Sequence, residues 1–495
     1  MCMKLTPSSE LSPDQVQSGL RLVVKDGLAT EAMVVLTAGA FLTAIALQMG
    51  ASNFQIGVLA AMPTFTNIFQ LFSIWLVHRY RNRRAITVIC STMARLPLVC
   101  IGLLPWILPA GATLPLLMSL LSFHYFFGSI AGASWNSWMK DLIPGQILGS
   151  YFSRRTRLAQ SLNVTLSISI ALLVDYLKER FPGNEISIYT SMFLLAGIAG
   201  LLGVYALSRV QEPRMASGET ESLLRQIRQP LKDTNYRRML LFNASWVFAL
   251  NLATPFFMVY MMKTLRLPIS TIILLGILAQ LSSICFVSVW GKYIDKYSNK
   301  NVIRICAPVY IACLLAWAFT ALYPAPSFAI TLLALINIAT GMATSGITLA
   351  LNNIGIKLAP QGQAMVYLSA KNMLNAFTAA LAPLFGGLMA DYFVGRQVLW
   401  NVQWHSASRV IQVPLLHLQQ WNFFFVISAI LAMIAIRLLR RVAEPGEVES
   451  AVMTSDMNSQ LKRILKEKPA RQVVQRIIYR PSKWKHPSQK KDLIS

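Results

Sequence analysis

Long apolar runs separated by short polar stretches fill almost the whole chain, and the runs are continuous rather than alternating residue by residue. Twelve have the length, roughly 20 residues, that an α-helix needs to cross a bilayer. They lie at about 28–50, 55–77, 86–107, 113–136, 158–179, 186–208, 239–262, 269–290, 302–323, 327–352, 366–390 and 421–439. A membrane β-barrel would show alternating segments of roughly ten residues. The pattern therefore predicts an all-α polytopic membrane protein. Its N-terminus is too polar for a cleaved signal peptide, so the first run is expected to remain as a span.

Two of the polar stops are nearly identical. RVQEP (Arg209–Pro213) ends the sixth run and RVAEP (Arg441–Pro445) ends the twelfth, 232 positions later. IPGQILGSYFSRR follows the fourth run and APQGQAMVYLSAK the tenth. Aligning Pro144 with Pro360 also aligns Tyr151 with Tyr367, Ser153 with Ser369 and Arg155 with Lys371, an offset of 216. The basic loops after the second and eighth runs keep nearly that offset, which widens only past a long outer loop at 391–420. The chain thus reads as two six-helix pseudo-repeats: an N-terminal segment 1–27, a first half 28–213, a linker 214–238, a second half 239–445 and a basic tail 446–495. In the tail, Leu461, Ile464, Leu465, Val473, Val474, Ile477 and Ile478 are spaced loosely as one face of a membrane-surface helix; a disordered basic tail is the alternative.

Composition agrees. Hydrophobic residues make up 55% of the 495 and charged residues 13%, against about 25% charged in soluble proteins. The net charge of +25 needs no nucleic acid, because Lys and Arg gather on the cytoplasmic side of membrane proteins. With both termini cytoplasmic, the inner loops hold Arg79, Arg81, Arg83 and Arg84, then Lys140, Arg154, Arg155 and Arg157, then seven basic residues between Arg209 and Arg238. The outer loops ASNF, PAGAT and YPAPS hold none. A plasma (inner) membrane location follows as the expectation. The six Cys show no zinc spacing, there is no Walker-type loop, and neither HExxH nor GxSxG occurs. No cofactor, metal or enzymatic activity is expected.

The segment GKYIDKYSNK (Gly291–Lys300) resembles the loop signature of the major facilitator superfamily, written G-x-x-x-D-[RK]-x-G-x-[RK]. Gly291, Asp295, Lys296 and Lys300 match it, and Ser298 replaces the second Gly. The first-half counterpart, IWLVHRYRNRR, has Ile74 and His78 where Gly and Asp would stand. The resemblance covers about residues 25–445. It implies a twelve-helix transporter that exposes one site to each side of the membrane in turn. Neither the RxxQG pattern nor the Gly-Pro-rich antiporter signature of proton-driven drug exporters is present. The expected activity is secondary transport of a small organic solute, a sugar or related polar compound with a co-transported proton or cation, by a monomer. Export of amphiphiles is the alternative, and a transporter-derived solute sensor is the alternative of another class.

Charged loops supply a candidate cytoplasmic gate of Arg154, Arg155, Glu212, Gly291, Asp295, Lys296, Lys371 and Glu444. Glu212 is expected to meet Arg154 or Arg155, Glu444 to meet Lys371, and Asp295 to brace a neighbouring helix end. The alternative is that these residues only set orientation and stop helices. Ionisable and amide groups are costly in hydrocarbon. His124 and Glu31 are therefore candidates for proton coupling, each with a structural alternative. Arg95 is expected to pair with a neighbouring helix, and Asp175 with Lys178 three residues on. Asn67, His124, Trp246, Asn251, Gln280, Asn337 and Asn375 are the substrate-binding candidates, because amides exchange hydrogen bonds with hydroxyls and an aromatic face packs on a sugar ring.

Overall fold

The computed structural model describes residues 11–107, 113–144, 147–214, 229–318, 320, 326–360, 364–405 and 410–447. Most of the linker and the amphipathic stretch of the tail lie outside them. Twelve helices among the described residues are long and apolar enough to cross a membrane: Pro13–Gln48, Asn53–Tyr80, Arg83–Leu104, Leu114–Leu142, Ser150–Arg180, Glu185–Ser208, Thr234–Lys263, Ile269–Lys296, Asn299–Trp317, Phe328–Lys357, Val366–Tyr392 and Gln420–Leu439. We call them spans 1–12. Each agrees with one apolar run, but span 1 begins well before residue 28 and span 7 starts inside the stretch assigned to the linker.

The long loop at 391–420, to which the hydropathy pattern assigns no span, carries a local hairpin beside the all-α bundle. Strands β1 (Gln397–His405) and β2 (Val410–Gln419) pair antiparallel there, with an irregularity between Trp400 and Asn401. Its Val- and Leu-containing strands lie outside any span, so backbone groups that a helix would satisfy internally are paired across a ladder instead.

Local chemistry sets the bends. Span 1 breaks at Ala38, where Gly39 takes a φ of +59°, a conformation glycine adopts without strain. Span 2 starts on a capping box in which Ser52 accepts from the Gln55 amide and the Gln55 side chain returns to Ser52. Pro63 then interrupts its hydrogen-bond ladder and a 3₁₀ turn, Thr66–Phe69, follows. A proline inside a helix removes a donor and kinks the axis.

The packing repeats itself. In the first half the pairs are spans 1 with 5, 1 with 6, 2 with 4, 3 with 4 and 3 with 6; in the second they are 7 with 11, 7 with 12, 8 with 10, 9 with 10 and 9 with 12. Adding six to each member of the first set gives the second. Between the halves, span 2 packs on span 11 and span 5 on span 8, a pair of contacts that the same operation interchanges. The molecule is therefore two similar bundles related by a pseudo-two-fold axis.

That axis has two unlike ends, and we call the one bearing Glu212 and Glu444 the terminal end. At the distal end a single apolar core runs through both halves, from Phe41, Ile45, Tyr189 and Phe193 to Phe256, Tyr260 and Phe424. Toward the terminal end it divides into separate clusters, around Trp138 and Leu207 in the first half and Tyr236 and Ile303 in the second.

Candidate functional site

Acidic residues close the distal end, and the sequence reading missed this use of them. Asp391, at the end of span 11, accepts from the backbone amides of Asn53 (3.2 Å) and Phe54 (3.0 Å) and from the Asn53 side chain (2.8 Å) at the start of span 2. Asp175 of span 5 accepts from the amides of Ile269 (3.2 Å) and Ser270 (2.9 Å) at the start of span 8. Helix N-termini carry unpaired N–H groups and a positive dipole end, so both carboxylates are well placed. The offset of 216 carries Asp175 onto Asp391, and Asn53 and Phe54 onto Ile269 and Ser270. The two clasps are one device written twice. Asp175 is thus not paired with Lys178, whose ammonium lies 5.3 Å from the centre of the Tyr189 ring. Beside the clasps the backbones nearly touch: a Cβ on Gly57 would stand 2.3 Å from the Pro383 carbonyl oxygen, and one on Gly387 2.6 Å from Phe54 Cα.

Away from these clasps the halves part. The terminal part of span 2, beyond its 3₁₀ turn, packs on span 4 rather than span 11, leaving Phe72 and Trp75 exposed. Spans 5 and 8 meet at Asp175 but diverge around a cavity of about 440 Å³ that Gln160, Ser161, Gln280 and Ile284 line.

The proposed pairings of Glu212 and Glu444 are corrected by the structure. Glu212 accepts from the Arg83 amide (3.0 Å), the Arg83 Nε (2.9 Å) and the Arg84 amide (2.9 Å), not from Arg154, which is exposed, or Arg155. Glu444 accepts from the amides of Asn299 (3.3 Å) and Lys300 (2.9 Å), from the Asn299 side chain (2.8 Å) and from Lys357 Nζ (2.9 Å). Lys371 instead donates to the Leu351 carbonyl (2.7 Å) and Asn352 Oδ1 (3.2 Å). Each Glu-Pro stop folds back onto the first turn of the third helix of its own half, where unpaired amides draw it. Among the described residues neither carboxylate bridges the halves. Asp295 and Lys357 line a cavity at the mouth of the second half, Lys296 lies 4.9 Å from the centre of the Tyr297 ring, and Gly291 is half-buried within span 8.

Burial pushes the Glu444 carboxyl up, but the Lys300 amide, the Lys357 ammonium and the Asn299 donors outweigh it and hold it below the usual Glu value. A carboxyl with a lower pKa folded than unfolded stabilises fully above its unfolded pKa, about 4.3, and the contribution fades as pH falls through the folded value. The melting temperature is expected to fall with acidification below about pH 4.3, and Glu444→Gln to flatten part of that fall. An acid limb identical in the variant would contradict the assignment.

Two related cavities lie inside the halves. The first-half cavity, about 320 Å³, is lined by Asp26, Arg95, His124, Trp135 and Arg155 among others. The second-half cavity, about 200 Å³, is lined by Asn243, Trp246, Asn352, Lys371 and Asn375 among others. The 216 offset superposes them, taking Thr30 to Trp246, Gly128 to Thr344, Trp135 to Leu351 and Arg155 to Lys371. Three expected binding residues, His124, Trp246 and Asn375, fall in them.

The remaining candidates divide. Asn251 and Asn337 donate back to carbonyls of their own helices, at Val247 (2.9 Å) and Leu333 (2.8 Å). Asn67 is exposed and accepts from Gln70 (3.1 Å), and Gln280 lies between spans 5 and 8. His124 Nδ1 is 2.6 Å from the Ala94 carbonyl, the interhelical bond expected of a structural His. Glu31 accepts from Asn163 (2.7 Å). Arg95 pairs with Asp26 (3.5 Å) and donates to Thr30 (3.0 Å), as the structural reading expects. Asn243, which donates to Asn375, and Asn352 were not expected. Each sits inside a helix whose sequence reads as apolar.

Comparison with known proteins places this geometry. The nucleoside transporter NupG superposes with a TM-score of 0.61 at 13% identity, over 86% of this chain and 98% of that one. A D-xylose-proton symporter gives 0.57 at 14%, over 88% and 98%. A bacterial homolog of the human lysosomal transporter Spinster, inward-facing and unoccupied, gives 0.56 at 16%, over 78% and 84%. The search among curated proteins returns no match. The family model described as Major Facilitator Superfamily matches residues 27–383, and the chain belongs to that superfamily.

Proposed function

We propose that this protein is a secondary transporter that moves a small polar organic solute by alternating access, with both termini in the cytoplasm of a cell whose plasma (inner) membrane it spans. The observation that carries the reading is the unequal axis: two pseudo-symmetric clasps hold the distal end shut while spans 5 and 8 diverge around a cavity toward the terminal end, and each half holds a polar-lined cavity of its own. The crowding of Lys and Arg in the terminal-end loops supports a cytoplasmic terminal end, and with that orientation the state described is inward-open. Amide and hydroxyl lining in the second-half cavity, from Asn243, Thr344, Thr348, Asn352 and Asn375, favours a polar solute over an amphiphile.

Flux in proteoliposomes tests this reading. Labelled small solutes are expected to exchange across the membrane saturably, and a chain that binds solute without moving it would be a sensor instead. Proton coupling enters as a second arm. His124 and Glu31 are the groups through which a pH gradient would act, so uptake should respond to an imposed gradient and His124→Gln or Glu31→Gln should reduce that response. Gradient-independent uptake in the parent protein would remove the proton from the scheme.

A further inference from the structure

The two cavities are alike in position and unlike in charge. In the second half Lys371 is buried, 2% exposed, yet both groups it donates to are neutral oxygens. Among the described residues no carboxylate lines its cavity. In the first half one carboxylate, Asp26, faces two guanidinium groups, Arg95 and Arg155. Arg95 takes the direct contact, while Arg155 stacks over the Trp135 ring at 5.0 Å. Repeat-related positions 155 and 371 therefore each hold a cation whose charge the surrounding protein does not fully balance. Charges withdrawn from water are costly without a partner, and this cost is incurred twice at one symmetric position.

Hydrogen bonding gives the same answer independently. Nine buried side-chain polar atoms lack a partner among the described residues, and four of them belong to side chains that line the first-half cavity: Thr87 Oγ1, Arg95 Nη1, Trp135 Nε1 and Arg155 Nε. The last three can only donate. Unused buried donors are expensive, so the group that completes this site is rich in acceptors. The second-half cavity offers a different character, with amides and hydroxyls around Lys371, and its one unpartnered buried atom is an acceptor, Asn243 Oδ1. One side thus presents a surplus of donors and positive charge, and the other a single cation set among neutral polar groups.

We propose that the transported solute is a small organic oxyanion, whose carboxylate or phosphate is taken up by Arg155 and Lys371 while its neutral polar body meets the amides of the second half. The inference rests on the transporter reading above and narrows its substrate class. Arg155 and Lys371 contact the charged group; Arg95, already paired with Asp26, holds that carboxylate away from Arg155 and offers a further donor.

The test uses the full purified chain in detergent, with succinate and glycerol 3-phosphate as the oxyanion probes, succinamide and glycerol as their neutral counterparts, and potassium chloride to match ionic strength. Melting temperature is followed against probe concentration. At least one oxyanion is expected to raise it saturably while its neutral counterpart and chloride do not, and the two oxyanions separate a carboxylate site from a phosphate site. Arg155→Gln and Lys371→Gln are each expected to weaken the apparent affinity about 10- to 100-fold, the size of a lost charged hydrogen bond. Arg155→Lys and Lys371→Arg keep the charge and should recover most of the affinity, which a merely structural role would not reproduce. Any variant that does not fold is replaced by its charge-keeping partner, read for a change in oxyanion selectivity.

Inert oxyanions, neutral probes that stabilise instead, or affinities unchanged in both Gln variants would each overturn the proposal. Loading the same probes into proteoliposomes separates the two levels. Saturable flux of a neutral solute with inert oxyanions would leave the transporter and remove the anion site. Oxyanion binding that depends on Arg155 and Lys371 without flux would do the reverse.

Discussion

Removing both distal carboxylates, Asp175→Ala together with Asp391→Ala, is expected to turn a population open at the terminal end into one that spends most of its time with that end closed. Each carboxylate holds two backbone amides of the opposite half, and Asp391 holds the Asn53 side chain as well. Charged hydrogen bonds contribute about 1.5–3 kcal/mol, and half-exposed ones less, so about 1–2 kcal/mol per clasp is a fair expectation. The clasps lie on different helix pairs and share no partner, so their effects should add. Together they shift the ratio of states by about 30- to 900-fold. Spin labels on the loops after spans 1 and 7 would report the change as a longer distance across the distal end. Asp175→Asn keeps one acceptor and should give a smaller shift, whereas Lys178→Met should give none. Gly57→Leu reaches the same end by sterics: its side chain would drive into the Pro383 carbonyl, a backbone atom that cannot swing aside. It should exclude the closed distal state and stop transport. Unchanged distance distributions in the double variant would show that the apolar core, not the carboxylates, holds the distal end.

Hydropathy made the twelve spans and their division into halves legible, because a bilayer demands only length and apolarity of a helix. Pairwise contacts are another matter. The sequence places Glu212 four residues beyond span 6 and says nothing about which helix end lies beside it. A usable signal was nevertheless there. Applied to the basic loops, the 216 offset that aligns Arg155 with Lys371 also aligns Arg83 with Asn299 and Arg84 with Lys300, the residues that receive the two Glu-Pro carboxylates. It likewise aligns Asp175 with Asp391. Repeat-related acids at the same depth are better evidence of a shared task than either acid alone. The amides were harder. Asn251 and Asn337 bond to their own helices, a local choice that rotamer and neighbours decide. Asn243 and Asn375 find each other across spans 7 and 11, and no periodicity distinguishes the two outcomes.

Glu212→Ala is expected to be the most destabilising single change in the protein. Arg83 is 1% exposed and Glu212 fully buried. The guanidinium also donates to the carbonyls of Ser137 (3.0 Å) and Pro213 (3.0 Å) and pairs with Asp141. Truncating Glu212 strips the buried Nε of its acceptor and frees two amides at the start of span 3, leaving Asp141, which is 41% exposed, as the only carboxylate on Arg83 among the described residues. Breaking a buried pair from one side costs about 3–5 kcal/mol, because the other charge stays behind. Glu444→Ala should cost less, since Lys357 is 41% exposed and can turn to water, and Asn299 is neutral. Thermal unfolding in detergent measures both. The same variants separate a helix-end anchor from a gate. The Glu212 and Glu444 anchors each lie within a single half, so their loss should lower stability without moving the ratio of states open and closed at the terminal end. A changed distance across the halves in Glu212→Gln, at unchanged melting temperature, would restore the gate.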